Sequence, residues 1–285
     1  MKTIIDTMCI IAKDMPKIND TLTLEWIGVN ASLESKVKVN IHARYGEHNV
    51  NSLKKHIELT REEVENSIIG NGEIRMQRID IAIDTNKYTF NMDFKKLLFF
   101  GELLSIRAGG KSGGTNRFYT TDIDSLLPNS IKFKHKRDLT IEIYNKKLES
   151  PTHPYETRIE FRCDRKDREL GDCLDLFKYV IDMLNGLEGN LQRVEESMVE
   201  RLINLWEKEI EKKLVTSFSE FVRKYNNYFY TLDILKGVYR QTGLKGAYSK
   251  WLEKFRKTNN IGFVTKKDIR EFKKVAIDSV KAYLK

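Results

Sequence analysis

In "RIDIAID", residues 78–84, isoleucine recurs at every second position, and Asp80, Ala82 and Asp84 take the positions between. Side chains alternate across a strand, so Ile79, Ile81 and Ile83 share one face and the two aspartates share the other. A chain with this segment must build a sheet with one apolar face against a core and one face that carries charge. Two carboxylates on one strand face are disfavoured by β propensity and by their mutual repulsion, so something must compensate them. A divalent cation does this, since carboxylate oxygens suit Mg²⁺ or Mn²⁺. Alternatively, Asp80 pairs with an arginine and Asp84 starts a turn at "DTN".

Two further segments carry the same period. In "DLTIEIYNKKLES", residues 138–150, positions 139, 141 and 143 are apolar, which sets Thr140, Glu142, Tyr144 and Lys146 on one face. In "YETRIEFRC", Arg158, Glu160 and Arg162 face one way, and Ile159 and Phe161 the other. If these strands are neighbours, Asp80, Asp84, Glu160 and Tyr144 converge on one sheet face. That set suits metal-assisted phosphoryl transfer: the cation polarises a scissile phosphate and the Tyr144 oxygen attacks in line, leaving a covalent phosphotyrosine. A tyrosine with a pKa near ~10 is a poor nucleophile at neutral pH, so this chemistry asks for a nearby cation. Lys146 on the same face, or Lys147, would stabilise charge on the phosphate. The rival reading is a plain solvent-exposed sheet face.

From the N-terminus to about residue 163 the pattern is mainly strand, in "TIIDTMCIIA", "SKVKVNIHARY", "EIRMQRIDIAID", "NRFYTT", "SIKFKH", "DLTIEIYN" and "YETRIEFRC". Helices are expected at 51–68 and 91–104. After about residue 166 the apolar spacing turns helical: positions 191, 194, 198, 202, 205 and 206 form one stripe, and Thr265 with Asp268 has capping-box spacing. The expected fold is α+β, a mostly antiparallel central sheet over residues 1–165 followed by a basic, mainly helical region over 166–285.

The net charge of +9 is concentrated at one end. Residues 221–285 hold 16 Lys/Arg against 5 Asp/Glu, which leaves the rest of the chain slightly acidic. A basic module beside a near-neutral one suits a polyanion, most often nucleic acid, although a solvated lysine-rich tail has the same composition. Within it, "TLDILKGVYRQTGLKGAYSKWLEKFRK" reads as helix, turn, helix. Gly243 and Gly246 serve the turn, and Lys250, Lys254, Arg256 and Lys257 contact DNA from the second helix. Leu235, Val238, Tyr248, Trp251 and Phe255 suit two ordinary packed helices equally well.

No stretch approaches the ~18 apolar residues of a membrane span, and the charged N-terminus argues against a signal peptide, so a cytoplasmic protein without a membrane partner is expected. Cys9, Cys163 and Cys173 form no paired set and are expected as reduced thiols. "SIRAGGKSGG" ends like a phosphate loop, but Ser105 stands where the first glycine belongs and strand follows it, so a flexible hairpin loop is expected. The five histidines include no pair at zinc spacing, and His135 is read as a surface residue.

The order "RIDIAID", a glycine-containing loop, "IEIYNKK" and then "ETRIEFR" resembles the trans-acting rolling-circle replication initiators of Gram-positive plasmids, the Rep_trans family. That family also includes some relaxases of integrative conjugative elements. "IDTMCIIA" is similar to the family's first strand, so the resemblance spans roughly residues 4–165. It implies that Tyr144 is the nicking nucleophile, and that Asp80, Asp84 and Glu160 hold a divalent metal, Mg²⁺ or Mn²⁺. Glu142 departs from the family pattern, which has arginine two residues before the tyrosine, and is a further candidate metal ligand. The implied protein binds a plasmid double-strand origin and nicks and rejoins one strand through a 5′-phosphotyrosine. Its implied partners are a second copy of itself and a host helicase. A conjugative relaxase of the same chemistry and a non-catalytic DNA-binding regulator are the alternatives.

Overall fold

The computed structural model describes residues 1–13, 22–27, 34–46, 50–67, 74–90, 92–106, 117–119, 130–136, 138–168, 173–244, 246–259 and 261–285. Most of the glycine-rich "SIRAGGKSGG" loop lies outside them. The strands are β1 (Lys2–Lys13), β2 (Leu22–Ile27), β3 (Glu34–Val39), β4 (Ile74–Thr85), β5 (Arg117–Tyr119), β6 (Ser130–Lys136), β7 (Leu139–Asn145) and β8 (Thr157–Arg168). Together they form one sheet in the order β2-β3-β1-β4-β8-β7-β6-β5, antiparallel throughout. The fold is therefore α+β around a mostly antiparallel sheet, and β8 lies between the two strands whose polar faces raised the question of a site.

Alternation on these strands divides the molecule into a dry side and a wet side. Ile79, Ile81 and Ile83 of β4, Ile141 and Ile143 of β7 and Ile159 and Phe161 of β8 are fully buried. In the β4–β8–β7 register, Ile81, Phe161 and Ile141 stand opposite one another, as do Ile83, Ile159 and Ile143. α2 (Leu53–Ser67), α3 (Phe94–Ser105) and α10 (Lys266–Leu284) pack on the sheet, joined by α5 (Cys173–Asn185) and α6 (Leu187–Glu211). The apolar residues of the sheet and of the C-terminal helices belong to one core. α10 ties the chain's two ends together: Phe272 stacks on Phe100 of α3 at 4.1 Å between ring centres, and the Ser279 hydroxyl bonds that of Thr3 at 2.8 Å. Its N-terminus carries the expected capping box, with the Thr265 and Asp268 side chains each bonding the other's backbone N–H.

Two local expectations are corrected by the fold, and one strand is added. "NIHARY" does not prolong β3, because residues 41–45 turn into a short helix, α1 (Ile41–Tyr45); "LTLEWI" forms the strand β2 beside β3. His135 is buried, since period two in β6 sets it with Ile131 and Phe133 on the core face, where its ring nitrogens meet the Leu104 carbonyl and the Tyr179 hydroxyl at 2.8 Å each. The three cysteines are free thiols, and all three are buried.

Close approach of α3 to β6 needs Gly101. A Cβ built there would lie 2.2 Å from the Phe133 ring, which is itself fully buried. Overpacking of this kind costs about 1–3 kcal/mol. Gly101→Ala is expected to lower the urea midpoint of unfolding with an unchanged m-value; an unchanged midpoint would mean that the helix shifts without cost.

Candidate active site

The wet face of β4, β8 and β7 holds three cross-strand rows. Asp84, Arg158 and Tyr144 form one; Ala82, Glu160 and Glu142 the next; Asp80, Arg162 and Thr140 the third. β1 adds Asp6 at a point where its pairing with β4 slips between Ile5 and Thr7, a bulge that brings an extra residue into the strand. The result is a cleft of about 480 Å³ lined by Asp6, Asp80, Glu142, Tyr144, Glu160 and Arg162, among others.

Tyr144 is half-buried in this cleft, and its hydroxyl donates to Glu160 Oε2 at 3.1 Å. Burial and the Glu160 charge push the phenol above its ordinary range, so at rest it keeps its proton. Burial and neighbouring Asp80 also push the Glu160 carboxyl up, and make it a better proton acceptor than an ordinary glutamate. Asp80 is raised as well, chiefly by burial, although Arg78 and Arg162 oppose the shift. Burial works against the Asp6 charge too, but Arg158 and Lys146 outweigh it and hold the carboxyl below its usual value.

Each of these acids is held by a cation. Arg78 binds Asp80 through Nε and Nη2, the latter at 2.7 Å. Arg162 reaches Glu160 at 2.7 Å and lies 3.5 Å from Glu142, which also pairs with Lys132 at 3.3 Å. Arg158 is almost wholly buried; it grips Asp84 through Nε at 2.6 Å and Nη2 at 2.8 Å, and its Nη1 binds Asp6.

The sheet thus brings Tyr144, Glu142, Glu160 and Asp80 into one cleft but keeps Asp84 out of its lining. Asp84 is fully buried, and both of its oxygens are taken by Arg158. The alternation that placed Lys146 beside Tyr144 fails because β7 ends at Asn145, whose side chain caps α4 (Lys146–Glu149) by accepting from Lys147 N–H at 3.1 Å. Lys146 still approaches by another route. Its ammonium lies 5.8 Å from the centre of the Tyr144 ring and pairs with Glu149 at 2.6 Å.

The expected divalent metal was to rest on Asp80, Asp84, Glu160 and Glu142. As the side chains stand, this donor set does not fit an ion: Asp84 is enclosed by Arg158, and the other three are in guanidinium or ammonium contacts. Among the described residues no three His, Cys, Asp or Glu side chains are arranged to hold a metal. Asp80 is paired to an arginine, as the other reading of "RIDIAID" has it, but Asp84 opens no turn; it lies within β4 opposite Arg158.

Sequence reasoning passed over Asp6, Arg78, Lys38 and Lys132, all of which line the cleft. Arg78 was within reach, since i and i+2 on a strand share a face and it precedes Asp80 by two. Asp6 was hidden by the bulge, which breaks that periodicity.

The basic C-terminal residues form a separate surface. α7 (Phe218–Lys224), α8 (Leu232–Gln241) and α9 (Tyr248–Thr258) pack through aromatic rings: Trp251 meets Phe218, Tyr239 and Phe255 at 4.9–5.2 Å between centres. Gly243 and Gly246 in the α8–α9 turn both have positive φ, 68° and 129°, the region where glycine is favoured. Lys250, Lys254, Arg256 and Lys257 are exposed on α9. None of the four lines the cleft.

No protein-family model matches this sequence, and a comparison with curated proteins finds no relative. Among solved structures, the chain is similar to a rolling circle replication initiator protein from Geobacillus stearothermophilus, at 13% identity and a TM-score of 0.40, over 65% of this chain and 84% of that one. It is also similar to the TBP of Methanococcus jannaschii, at 10% identity and a TM-score of 0.27, over 64% of this chain and 98% of that one. Likeness at this level carries no argument about function, which rests on the residues.

Proposed function

We propose that this chain is a DNA nicking and closing enzyme that uses Tyr144 as its nucleophile, as an initiator of plasmid rolling-circle replication does. The observation that carries the reading is the Tyr144–Glu160 hydrogen bond at the wall of an open cleft whose lining sets four cations among five carboxylates. A phenol that keeps its proton at rest needs an acceptor at the moment of attack, and Glu160 is in place, its carboxyl pushed up by burial and by Asp80.

In the proposed step the Tyr144 oxygen attacks the scissile phosphorus while its proton passes to Glu160. The P–O3′ bond breaks, the 3′ oxygen takes a proton from water and departs as a free hydroxyl, and the 5′ phosphate remains on Tyr144. Closure is the reverse transesterification, with Glu160 returning the proton, so no nucleotide is spent. Arg162, beside Glu160, is placed to offset negative charge as it builds on the phosphate. No step is drawn through a metal, because the carboxylates are already paired.

The sequence resemblance supports the same reading and adds an origin, a homodimer and a host helicase as partners. A conjugative relaxase has the same chemistry at a different DNA site. Among the described residues no helix is long and apolar enough to cross a membrane. The deciding experiment is a supercoiled-plasmid nicking assay with Mg²⁺, with Mn²⁺ and with excess EDTA, in which covalent DNA–protein adduct is measured beside relaxed product. Relaxed plasmid with no adduct would point to hydrolysis; neither product on the cognate plasmid would leave a DNA-binding regulator.

The α9 surface is proposed to hold duplex DNA through phosphates. Neutralising Lys250, Lys254 and Lys257 together is expected to weaken origin binding and to reduce the slope of log K against log salt by up to about 2.7, since each duplex phosphate contact contributes ~0.9. An unchanged slope would place duplex contact elsewhere.

A further inference from the structure

The cleft is longer than the chemistry at Tyr144 requires, and one cation in it has no carboxylate partner among the described residues. Its lining runs from Ser130 and Lys132 on β6, past Tyr144 on β7, Glu160 and Arg162 on β8 and Arg78 and Asp80 on β4, to Lys38 on β3. In the register, Lys38 stands opposite Cys9 of β1, and Cys9 stands opposite Arg78 of β4, so Lys38 belongs to the same wet face. Arg78, Arg162 and Lys132 are each paired with a carboxylate. Lys38 is half-exposed and, among the described residues, has no carboxylate partner.

An ammonium without a carboxylate partner among the described residues, at the far end of a cleft that holds a phosphate-directed nucleophile, is suited to a second phosphate of the same strand. From β7 to β3 the sheet order crosses four inter-strand steps, about 19 Å at ~4.8 Å per step. That distance is too great for Lys38 to touch the phosphate under attack, and it spans several nucleotides of a single strand. The paired cations between the two ends are already balanced by Asp80, Glu160 and Glu142. Arg162 serves the phosphate under attack, which leaves Lys38 for a second phosphate.

We propose that a single DNA strand lies across the sheet from Tyr144 on β7 to Lys38 on β3, with Lys38 binding a backbone phosphate several nucleotides from the scissile one. This rests on the reading of Tyr144 as the nucleophile. It makes Lys38 a positioning residue whose effect depends on substrate length.

The test uses the full chain, with Lys38→Met and Lys38→Arg, and fluorescent single-stranded oligonucleotides lengthened stepwise on either side of the nick. For oligonucleotides long enough to reach β3, Lys38→Met is expected to weaken binding roughly fivefold near 0.1 M salt and to lower the salt slope by about 0.7, the share of one single-strand phosphate contact. The loss should appear in KM with kcat kept, should vanish for oligonucleotides too short to span the sheet, and should be restored by Lys38→Arg. Equal affinity of wild type and Lys38→Met at every length overturns the proposal. So does an equal loss at every length, which would put Lys38 at the scissile phosphate. A covalent adduct formed by Tyr144→Phe would instead refute the nucleophile assignment, and that outcome is read separately from the binding series.

Discussion

Tyr144→Phe is expected to lose nicking by roughly three orders of magnitude or more, as removal of a covalent nucleophile does, while DNA affinity changes little. The substitution deletes one oxygen and keeps the ring, so β7 retains its packing and the cleft its shape. The hydrogen bond to Glu160 goes with it. Glu160 then keeps Arg162 as its partner, and the fold should lose only the ~1 kcal/mol of a typical hydrogen bond. Gel shift, nicking and adduct formation measured on one preparation decide the matter. If the variant still forms an adduct, another tyrosine attacks, and Tyr155 and Tyr119 are the first to examine. If wild type nicks fully in excess EDTA, the expected metal has no part in the reaction and the charge on the phosphate is met by arginine and lysine alone.

How much of this site could be read in advance depends on which interactions are local. Period two sorted the residues of β4, β7 and β8 onto the correct faces, because alternation is a property of a single strand; Asp80, Glu142, Tyr144, Glu160 and Arg162 all reached the cleft. What the same rule could not supply was the lateral order of strands, the bulge at Asp6 or the end of β7 at Asn145, all set by pairing partners far away in the chain. Asp84 illustrates the difference. It lies on the predicted face, yet register sets it opposite Arg158, and an acid opposite a buried arginine is consumed as a counter-ion. Lys146 is the converse case, close to Tyr144 although the strand that was to carry it there has ended. The acids proposed as metal ligands show the same limit: alternation sorts them strand by strand, whereas the cations that answer them come from neighbouring positions and strands.

Arg158 should be the most costly of these residues to remove. Its guanidinium is almost fully buried, and the fully buried Asp84 depends on it through two hydrogen bonds. Breaking a buried pair by removing one partner costs about 3–5 kcal/mol, because the remaining charge is left desolvated, and a domain has only about 5–15 kcal/mol in total. Arg158→Met is therefore expected to unfold at a much lower denaturant midpoint, or to be recovered mainly as aggregate. The same physics sets the control. A well-packed apolar replacement of both partners is often close to neutral, so Arg158→Met with Asp84→Leu should recover most of the lost stability. Asp6 keeps its partial solvent contact and needs no replacement, since 30% of its side chain remains exposed. If the double variant is as unstable as the single one, the arginine does more than answer Asp84, and its place opposite Tyr144 in the register makes the tyrosine's packing the next thing to test. If the single variant is as stable as wild type, the buried ion pair contributes little to the fold.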